Sequence, residues 1–188
     1  MRYDIKEIKS DRLVIKKGIE EDYLKVYEYD YSKLKNIDNE IIKEKQDLSK
    51  IKSWFTGGID NYYKKLKKSH AYDWIIYLDD VPIGNVLALE IDKKSIEITY
   101  NLHPNYWKNG YMTESLFYII NYLFFLGYEK VINGYLECDI NAKRISDKIG
   151  FRAYEILKDY VKGKSIYYDL YKTVMDKTTW FLKTGKIL

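Results

Sequence analysis

Residues 95–138 constrain the fold of this chain more than any other segment. They begin with an alternating run that is typical of a strand, pass a glycine at position 110 and continue into a long apolar stretch. Apolar residues at positions 116, 119, 120, 123 and 124 recur at helical spacing, which predicts a largely buried helix over 113–126. A second strand is predicted over 130–138. Two strands joined through a buried helix form a crossover, so the chain must build a sheet with a parallel pair.

The remaining pattern predicts antiparallel strands and peripheral helices. Strands over 74–78, 83–91 and 95–101 are separated by the short turns at 79–80 and 92–93, which indicates an antiparallel meander. Further strands are predicted over 12–16, 152–158 and 165–171, and further helices over 20–31, 41–55, 60–68 and 141–148, with a short one around Trp180. The fold class is therefore α/β (α+β), with a mixed, mostly antiparallel central sheet flanked by helices in one domain over 1–188.

Composition excludes several classes of function. Hydrophobic residues make up 46% of the chain, enough for a sizeable core, so global disorder is excluded. One cysteine and two histidines argue against a disulfide framework and against a metal site. Only four of the 32 basic residues are arginines and the net charge is +4, which makes nucleic-acid binding improbable. The longest apolar stretch, 116–128, is too short to span a membrane, and the first residues are charged, so we expect a soluble, cytoplasmic protein.

The turn around Gly110 predicts an anion site. A strand ends, a short loop turns sharply and a buried helix begins, so the first backbone N–H groups of the helix have no partner within it. Together with the helix dipole they favour a phosphate group, although a tight turn that simply needs glycine remains the alternative. The candidate anion-binding residues are Lys108, Asn109, Gly110, Tyr111, Met112 and Thr113.

The same segment carries a family resemblance. The matching residues are Glu97, Ile98, Tyr100, Leu102, Pro104, Tyr106, Trp107, Gly110, Tyr111, Thr113 and Glu114. This set resembles the acyl-CoA-binding motif of the GNAT superfamily of N-acetyltransferases, and it is most similar to the branch of the RimJ and RimL ribosomal-protein N-terminal acetyltransferases. Residues 147–151 resemble the Glu-Lys-Leu-Gly-Phe segment of that family. The resemblance covers about 12–171, leaves a short C-terminal extension, and implies the GNAT acyl-CoA N-acyltransferase fold.

The resemblance implies transfer of an acetyl group from acetyl-CoA to an amine by direct attack, without a metal. It also implies a strand that carries a bulge and splays from its neighbour before the loop. Free backbone groups near Leu102 and His103 would then hold the pantetheine arm of the cosubstrate. Three positions depart from the family pattern, one of which is Met112, where a small residue is common. Lys108 replaces the first loop glycine, and Asp139 replaces an asparagine whose amide role Asn141 is expected to take over.

Direct attack requires a deprotonated amine and a proton for the leaving thiolate. We favour Glu97 as the general base, with a charged residue on a half-exposed strand as the alternative reading. His103 and Glu137 are weaker candidates for the base. Tyr100 is the candidate proton donor, with core packing of the aromatic ring as the alternative. Ser146 stands where another branch of the superfamily carries a tyrosine acid.

Several alternatives stay open at this point. The acceptor is a protein N-terminus or a small amine, with an aminoglycoside or polyamine as the runner-up and a homodimer compatible with either. The N-terminal helices usually form one wall of the acceptor pocket in this family, which nominates Tyr27, Tyr31, Trp54 and Tyr62. Acidic residues within 36–47 would suit a cationic acceptor, but lysines are interleaved with them. A non-catalytic CoA-binding module on the same fold is the alternative of a different class, motivated by Lys108 and Asp139.

Overall fold

An eight-stranded sheet lies at the centre of the structure, a computed structural model that describes residues 3–30, 47–163 and 166–185. The strand order is β1-β2-β3-β4-β5-β6-β8-β7, and the single parallel pair among them is β5 with β6. The strands are β1 (Ile8–Lys9), β2 (Val14–Lys16), β3 (Ala71–Leu78), β4 (Val81–Glu90), β5 (Ser95–Leu102), β6 (Lys130–Leu136), β7 (Arg152–Lys162) and β8 (Tyr167–Asp176). The mixed, mostly antiparallel sheet expected from the sequence is confirmed.

Six helices in the described residues cover the two faces of the sheet. They are α1 (Glu20–Tyr27), α2 (Leu48–Trp54), α3 (Ile59–Lys68), α4 (Tyr111–Phe125), α5 (Ile140–Ile149) and α6 (Lys177–Thr184). Side chains alternate between the two faces along β3, and this divides the core into two clusters. Trp74 and Ile76 pack with α4 on one face, while Ile75 and Tyr77 pack with α1 to α3 on the other. None of these helices is long and apolar enough to cross a membrane.

The structure moves several predicted element boundaries. The first helix ends at Tyr27 rather than at 31, and α3 begins after Gly58, so Asp60 lies in its first turn and does not cap it. Strands β7 and β8 are both longer than predicted. The predicted residues of the second helix before Asp47, together with Tyr31 and most of the acidic segment 36–47, lie outside the described residues.

Candidate active site

The site begins where β5 and β6 separate. The two strands pair in parallel from Ser95 and Lys130 to Ile98 and Asn133, but β5 continues to Leu102 and β6 to Leu136 without pairing each other. The buried Asn133 marks the last pair, since its Nδ2 donates a hydrogen bond to the Ile98 carbonyl at 3.1 Å. The divergence leaves a wedge-shaped opening in the middle of the sheet, as the family resemblance implied.

The backbone groups that face this opening agree only in part with those expected near Leu102 and His103. The His103 amide donates to the Ile83 carbonyl at 2.8 Å, and the Leu102 carbonyl accepts from the Trp107 indole at 2.7 Å, so neither group is free. Because alternate residues of an antiparallel strand point to opposite neighbours, the N–H and C=O of Tyr100 and the N–H of Leu102 face the opening. The register between β4 and β5 is unbroken, so the predicted bulge in β5 is wrong and the free edge comes from the divergence alone.

A loop of left-handed residues joins β5 to α4. In the Gly110 loop (residues 107–110), Lys108 has a φ of +66° and Gly110 a φ of +81°. The first hydrogen bond of α4 runs from the Glu114 amide to the Gly110 carbonyl at 3.0 Å. Within the described residues, the six backbone N–H groups of 108–113 reach no protein acceptor. Six adjacent unsatisfied donors at a helix start favour an anion.

A cavity of about 540 Å³ lies between β5, the Gly110 loop and α5. Eight of the residues nominated from the sequence line it: Tyr100, Leu102, Lys108, Gly110, Tyr111, Met112, Thr113 and Asn141. Glu97, His103 and Asn109 are not among its lining residues. Sequence reasoning missed two cations of the lining, Arg144 and Lys148, although their spacing of four residues places them on one face of a helix.

Tyr100 is the most informative side chain of the cavity. Its hydroxyl is buried and finds no hydrogen-bond partner in the described residues. Burial, and secondarily the negative charge of Asp139, raise the pKa of Tyr100, so the hydroxyl keeps its proton at neutral pH. Leaving a buried hydroxyl unpaired costs roughly 1–3 kcal/mol.

Asp139 has a structural explanation that the sequence did not reveal. It is the N-cap of α5, and its Oδ1 accepts a hydrogen bond from the Ala142 amide at 2.9 Å. Aspartate and asparagine cap helices about equally well, so the acidic residue can replace the asparagine of the family motif without loss of the cap.

The three candidate bases occupy different places. Glu97 is half-buried on the face of β5 that carries α1 to α3, the face opposite Tyr100. His103 lies beyond the end of β5, where its Nδ1 accepts from the Asn105 amide at 3.3 Å and its ring contacts Tyr29. Glu137 is exposed beyond the end of β6. Glu97 is therefore the candidate that lies on a strand of the opening.

A buried carboxyl lies beneath the nominated acceptor wall, and sequence reasoning missed it. Asp73 accepts hydrogen bonds from the Tyr62 hydroxyl at 2.5 Å and from Asn85 Nδ2 at 3.2 Å, while the Tyr27 hydroxyl donates to Asn85 Oδ1 at 3.0 Å. Burial raises the pKa of Asp73 to about 7 against the opposing hydrogen bonds. The sequence signal that could have revealed Asp73 is an acidic residue within the otherwise apolar run 71–78. The Tyr62 hydroxyl is therefore already hydrogen-bonded within this cluster, whereas Trp54 packs edge-on against Tyr27.

Comparison with known proteins identifies the family. Residues 12–152 match the family model described as an acetyltransferase (GNAT) domain, which is most of the chain. The chain therefore belongs to the GNAT acetyltransferase family, whose general activity is acetyl transfer from acetyl-CoA, and its class is that of an acyltransferase. The fold and the family expected from the motif are both confirmed.

Solved structures show the same fold at low sequence identity. RimL, a ribosomal L7/L12 α-N-protein acetyltransferase in complex with coenzyme A, has a TM-score of 0.73 at 14% identity, over 93% of this chain and 99% of that one. RimJ of Mycobacterium smegmatis in complex with CoA-disulfide has 0.68 at 12% identity, over 96% and 94%. The spermidine/spermine N-acetyltransferase SpeG of Vibrio cholerae has 0.58 at 16% identity, over 66% and 77%. A comparison with curated proteins found no match.

No group of three or more histidine, cysteine, aspartate or glutamate residues that could hold a metal ion occurs in residues 3–30, 47–163 and 166–185.

Proposed function

We propose that this protein binds acetyl-CoA in the cavity and transfers the acetyl group to a primary amine by direct attack. The observation that carries the proposal is the row of six N–H donors at 108–113 without a protein acceptor in the described residues, beside a cavity that five of these six residues line together with Tyr100. An anionic diphosphate suits the donors, and the arm of the same molecule suits the free edge of β5. Membership of the GNAT acetyltransferase family supports the reaction.

Backbone amides and cationic side chains around the cavity both contribute to binding of the diphosphate. The backbone amides of the Gly110 loop and of the first turn of α4 bind the diphosphate. The cations Lys108, Arg144 and Lys148 line the same space and favour phosphate charge. Lys108 therefore replaces the lost loop glycine with a cation, at the expense of a left-handed backbone that glycine adopts more easily.

The proposed base and the proposed acid lie on opposite faces of β5. Glu97, on the face beneath the N-terminal helices, removes the proton of the incoming ammonium directly or through water, because a protonated amine has no lone pair to attack with. Tyr100, on the other face, donates its hydroxyl proton to the sulfur as the carbon–sulfur bond breaks, and the second proton that the nitrogen loses on becoming an amide returns to Tyr100 through solvent. The amine thus approaches the thioester carbon from one face of the sheet, and the sulfur leaves towards the other face.

The acceptor is a protein N-terminus or a small amine. The RimL and RimJ structures overlie more than nine-tenths of this chain, which favours an N-terminal amine. The spermidine/spermine acetyltransferase overlies 66% of it, so a polyamine is the second candidate. The location in the cytoplasm, the homodimer and the extent of the domain over 1–188 stay predictions.

The experiment combines binding with turnover. Isothermal titration with CoA tests the cavity, and thiol release from acetyl-CoA in the presence of N-terminal peptides, spermidine and an aminoglycoside tests the transfer. We expect binding together with turnover on at least one amine class. Binding without turnover on any amine would favour the non-catalytic CoA-binding module, and failure to bind CoA would contradict the proposal altogether.

A further inference from the structure

Arg12 reaches the Gly110 loop from a distant part of the sequence. Its Nη2 donates to the Asn109 carbonyl at 3.2 Å, and its Cζ lies 4.6 Å from the centre of the Tyr111 ring. Arg12 is not among the residues that line the cavity. It therefore contacts the backbone of the loop without itself bordering the space where a ligand would bind.

Glu114 anchors Arg12 in this position. Its Oε2 accepts a hydrogen bond from Arg12 Nε at 2.8 Å and forms an ion pair with Nη2 at 2.7 Å, so one carboxylate oxygen holds the guanidinium. The Oε1 of Glu114 accepts from the Arg12 amide at 3.1 Å and from the Ser10 hydroxyl at 2.6 Å. The Glu114 side chain is 14% exposed and that of Arg12 47% exposed, so the pair is partly shielded from solvent.

The loop needs an external restraint. Lys108 and Gly110 both have positive φ angles, and a left-handed residue with a side chain is strained. Asn109 lies between them and makes three hydrogen bonds: its Nδ2 donates to the carbonyls of Trp107 at 3.0 Å and Tyr106 at 3.3 Å, and its own carbonyl accepts from Arg12. Without Arg12, that carbonyl loses its restraint next to the strained Lys108.

We propose that Arg12 is a positioning residue that braces the Gly110 loop so that its backbone amides stay arranged for the diphosphate of the cosubstrate. The inference rests on the proposed function. It assigns the Arg12–Glu114 pair a role in cosubstrate affinity that is separate from the chemical step. It also explains why the turn between β1 and β2, far from the opening in the sheet, is bonded to the first turn of α4.

The test compares ligands with and without the diphosphate. We expect Arg12→Gln and Arg12→Lys each to weaken CoA binding about tenfold by titration calorimetry, which matches the loss of one charge-assisted hydrogen bond. The same variants should keep kcat at saturating acetyl-CoA and should use S-acetylpantetheine, which lacks the diphosphate, as well as the wild type does. Arg152→Gln removes an exposed arginine–aspartate pair elsewhere and is the matched control for stability, with CoA affinity unchanged.

A double variant separates bracing from simple charge. Arg12→Gln leaves the Glu114 carboxylate unneutralised, and Arg12→Gln with Glu114→Gln removes that charge as well. Bracing predicts weak CoA binding in both. Recovery of wild-type affinity in the double variant, wild-type affinity in Arg12→Lys, or an equal loss with S-acetylpantetheine would overturn the inference. Failure of the wild type to bind CoA would instead overturn the proposed function.

Discussion

A single strand places the two proposed catalytic groups on opposite faces of the sheet. Glu97 and Tyr100 are three residues apart on β5, and an odd spacing along a strand puts two side chains on different faces. The Tyr100 hydroxyl lacks a partner in the described residues and Glu97 is half-buried on the side of the N-terminal helices. In the proposed mechanism, base and acid therefore approach from opposite faces of the sheet and do not compete for the same space.

Glu97→Gln tests the proposed base. The amide has nearly the same shape but cannot take a proton, so we expect kcat to fall about 100-fold while CoA affinity changes little. Steady-state kinetics from pH 6 to pH 9 and calorimetry measure the two quantities. Turnover that stays at the wild-type level across this range would remove Glu97 from the mechanism and return His103 or Glu137 to consideration.

Two substitutions of Asp139 separate its role as the N-cap of α5 from the effect of its negative charge on the cavity. Asp139→Asn keeps the cap of α5 and removes a negative charge from the cavity, so we expect an unchanged melting temperature and CoA binding about two- to threefold tighter. Asp139→Ala removes the cap and should lower the free energy of unfolding by about 1 kcal/mol. Weaker CoA binding by the asparagine variant would show that the carboxylate contributes to the site.

At the scale of elements, α4 carries a left-handed glycine at each end, and only one of them borders the cavity. Gly110 precedes the helix with a φ of +81°, and Gly127 follows it with a φ of +98°. A Cβ at Gly127 would meet nothing within 4 Å, and one at Gly110 would meet only Arg12 Nη2 at 3.6 Å. Substitution at either position therefore strains the backbone more than it crowds its surroundings.

Gly110→Val should weaken CoA binding at least tenfold, since a β-branched residue resists a positive φ and the loop must rearrange. Gly127→Val imposes similar strain at the far end of the same helix and should lower the melting temperature without changing the CoA dissociation constant. Calorimetry and thermal unfolding distinguish the two. Tight binding by Gly110→Val would mean that the amides of the Gly110 loop do not hold the diphosphate.

Strands β7 and β8 show how sheet pairing overrides local propensity. Both contain lysine and aspartate, which are rare in strands, and the pattern alone predicted shorter elements. β8 pairs with β6 on one side and with β7 on the other, and its pairing with β6 continues to Asp176. Backbone hydrogen bonds to two neighbours extend the strand, while the exposed position of β7 leaves its charged side chains in solvent.

At the scale of the whole molecule, buried polar bonds connect the N-terminal helices to the sheet. Asp73 on β3 bonds to Tyr62 on α3 and to Asn85 on β4, which in turn bonds to Tyr27 on α1. Apolar packing of residues such as Val26, Ile51 and Phe55 surrounds these bonds. The nominated acceptor wall is therefore fixed to the sheet through Asp73.

The raised pKa of Asp73 predicts a pH dependence of stability. With a native pKa of about 7 against an ordinary value of 3.8, the folded protein keeps a proton that the unfolded chain releases between these values. The stabilisation from this proton is complete below about pH 4 and declines as the pH rises towards 7, at up to about 1.4 kcal/mol per pH unit. Asp73→Asn has no such proton, so the stability of the wild type relative to it should decline from pH 5 to pH 7 and then level off.

Urea unfolding at pH 5, 6, 7 and 8 measures this difference. Asp169→Asn is the control, because a hydrogen bond from the exposed Lys158 lowers the pKa of Asp169, and its contribution is lost only below that pH range. The stability difference between wild type and Asp169→Asn should therefore stay constant from pH 5 to pH 8. Parallel curves for wild type and Asp73→Asn would show that Asp73 is ionised throughout.

The sequence by itself determined the crossover at 95–138, the glycine turn and the family, because these depend on local spacing and on short-range backbone geometry. The tertiary structure alone decided which groups are available to a ligand. It hydrogen-bonds the His103 amide to the Ile83 carbonyl, directs the backbone N–H and C=O of Tyr100 towards the opening, and brings Arg12 to a loop almost a hundred residues away in the sequence. Strand register and long-range packing decide these contacts, because each contact has two partners and a local sequence pattern contains only one of them.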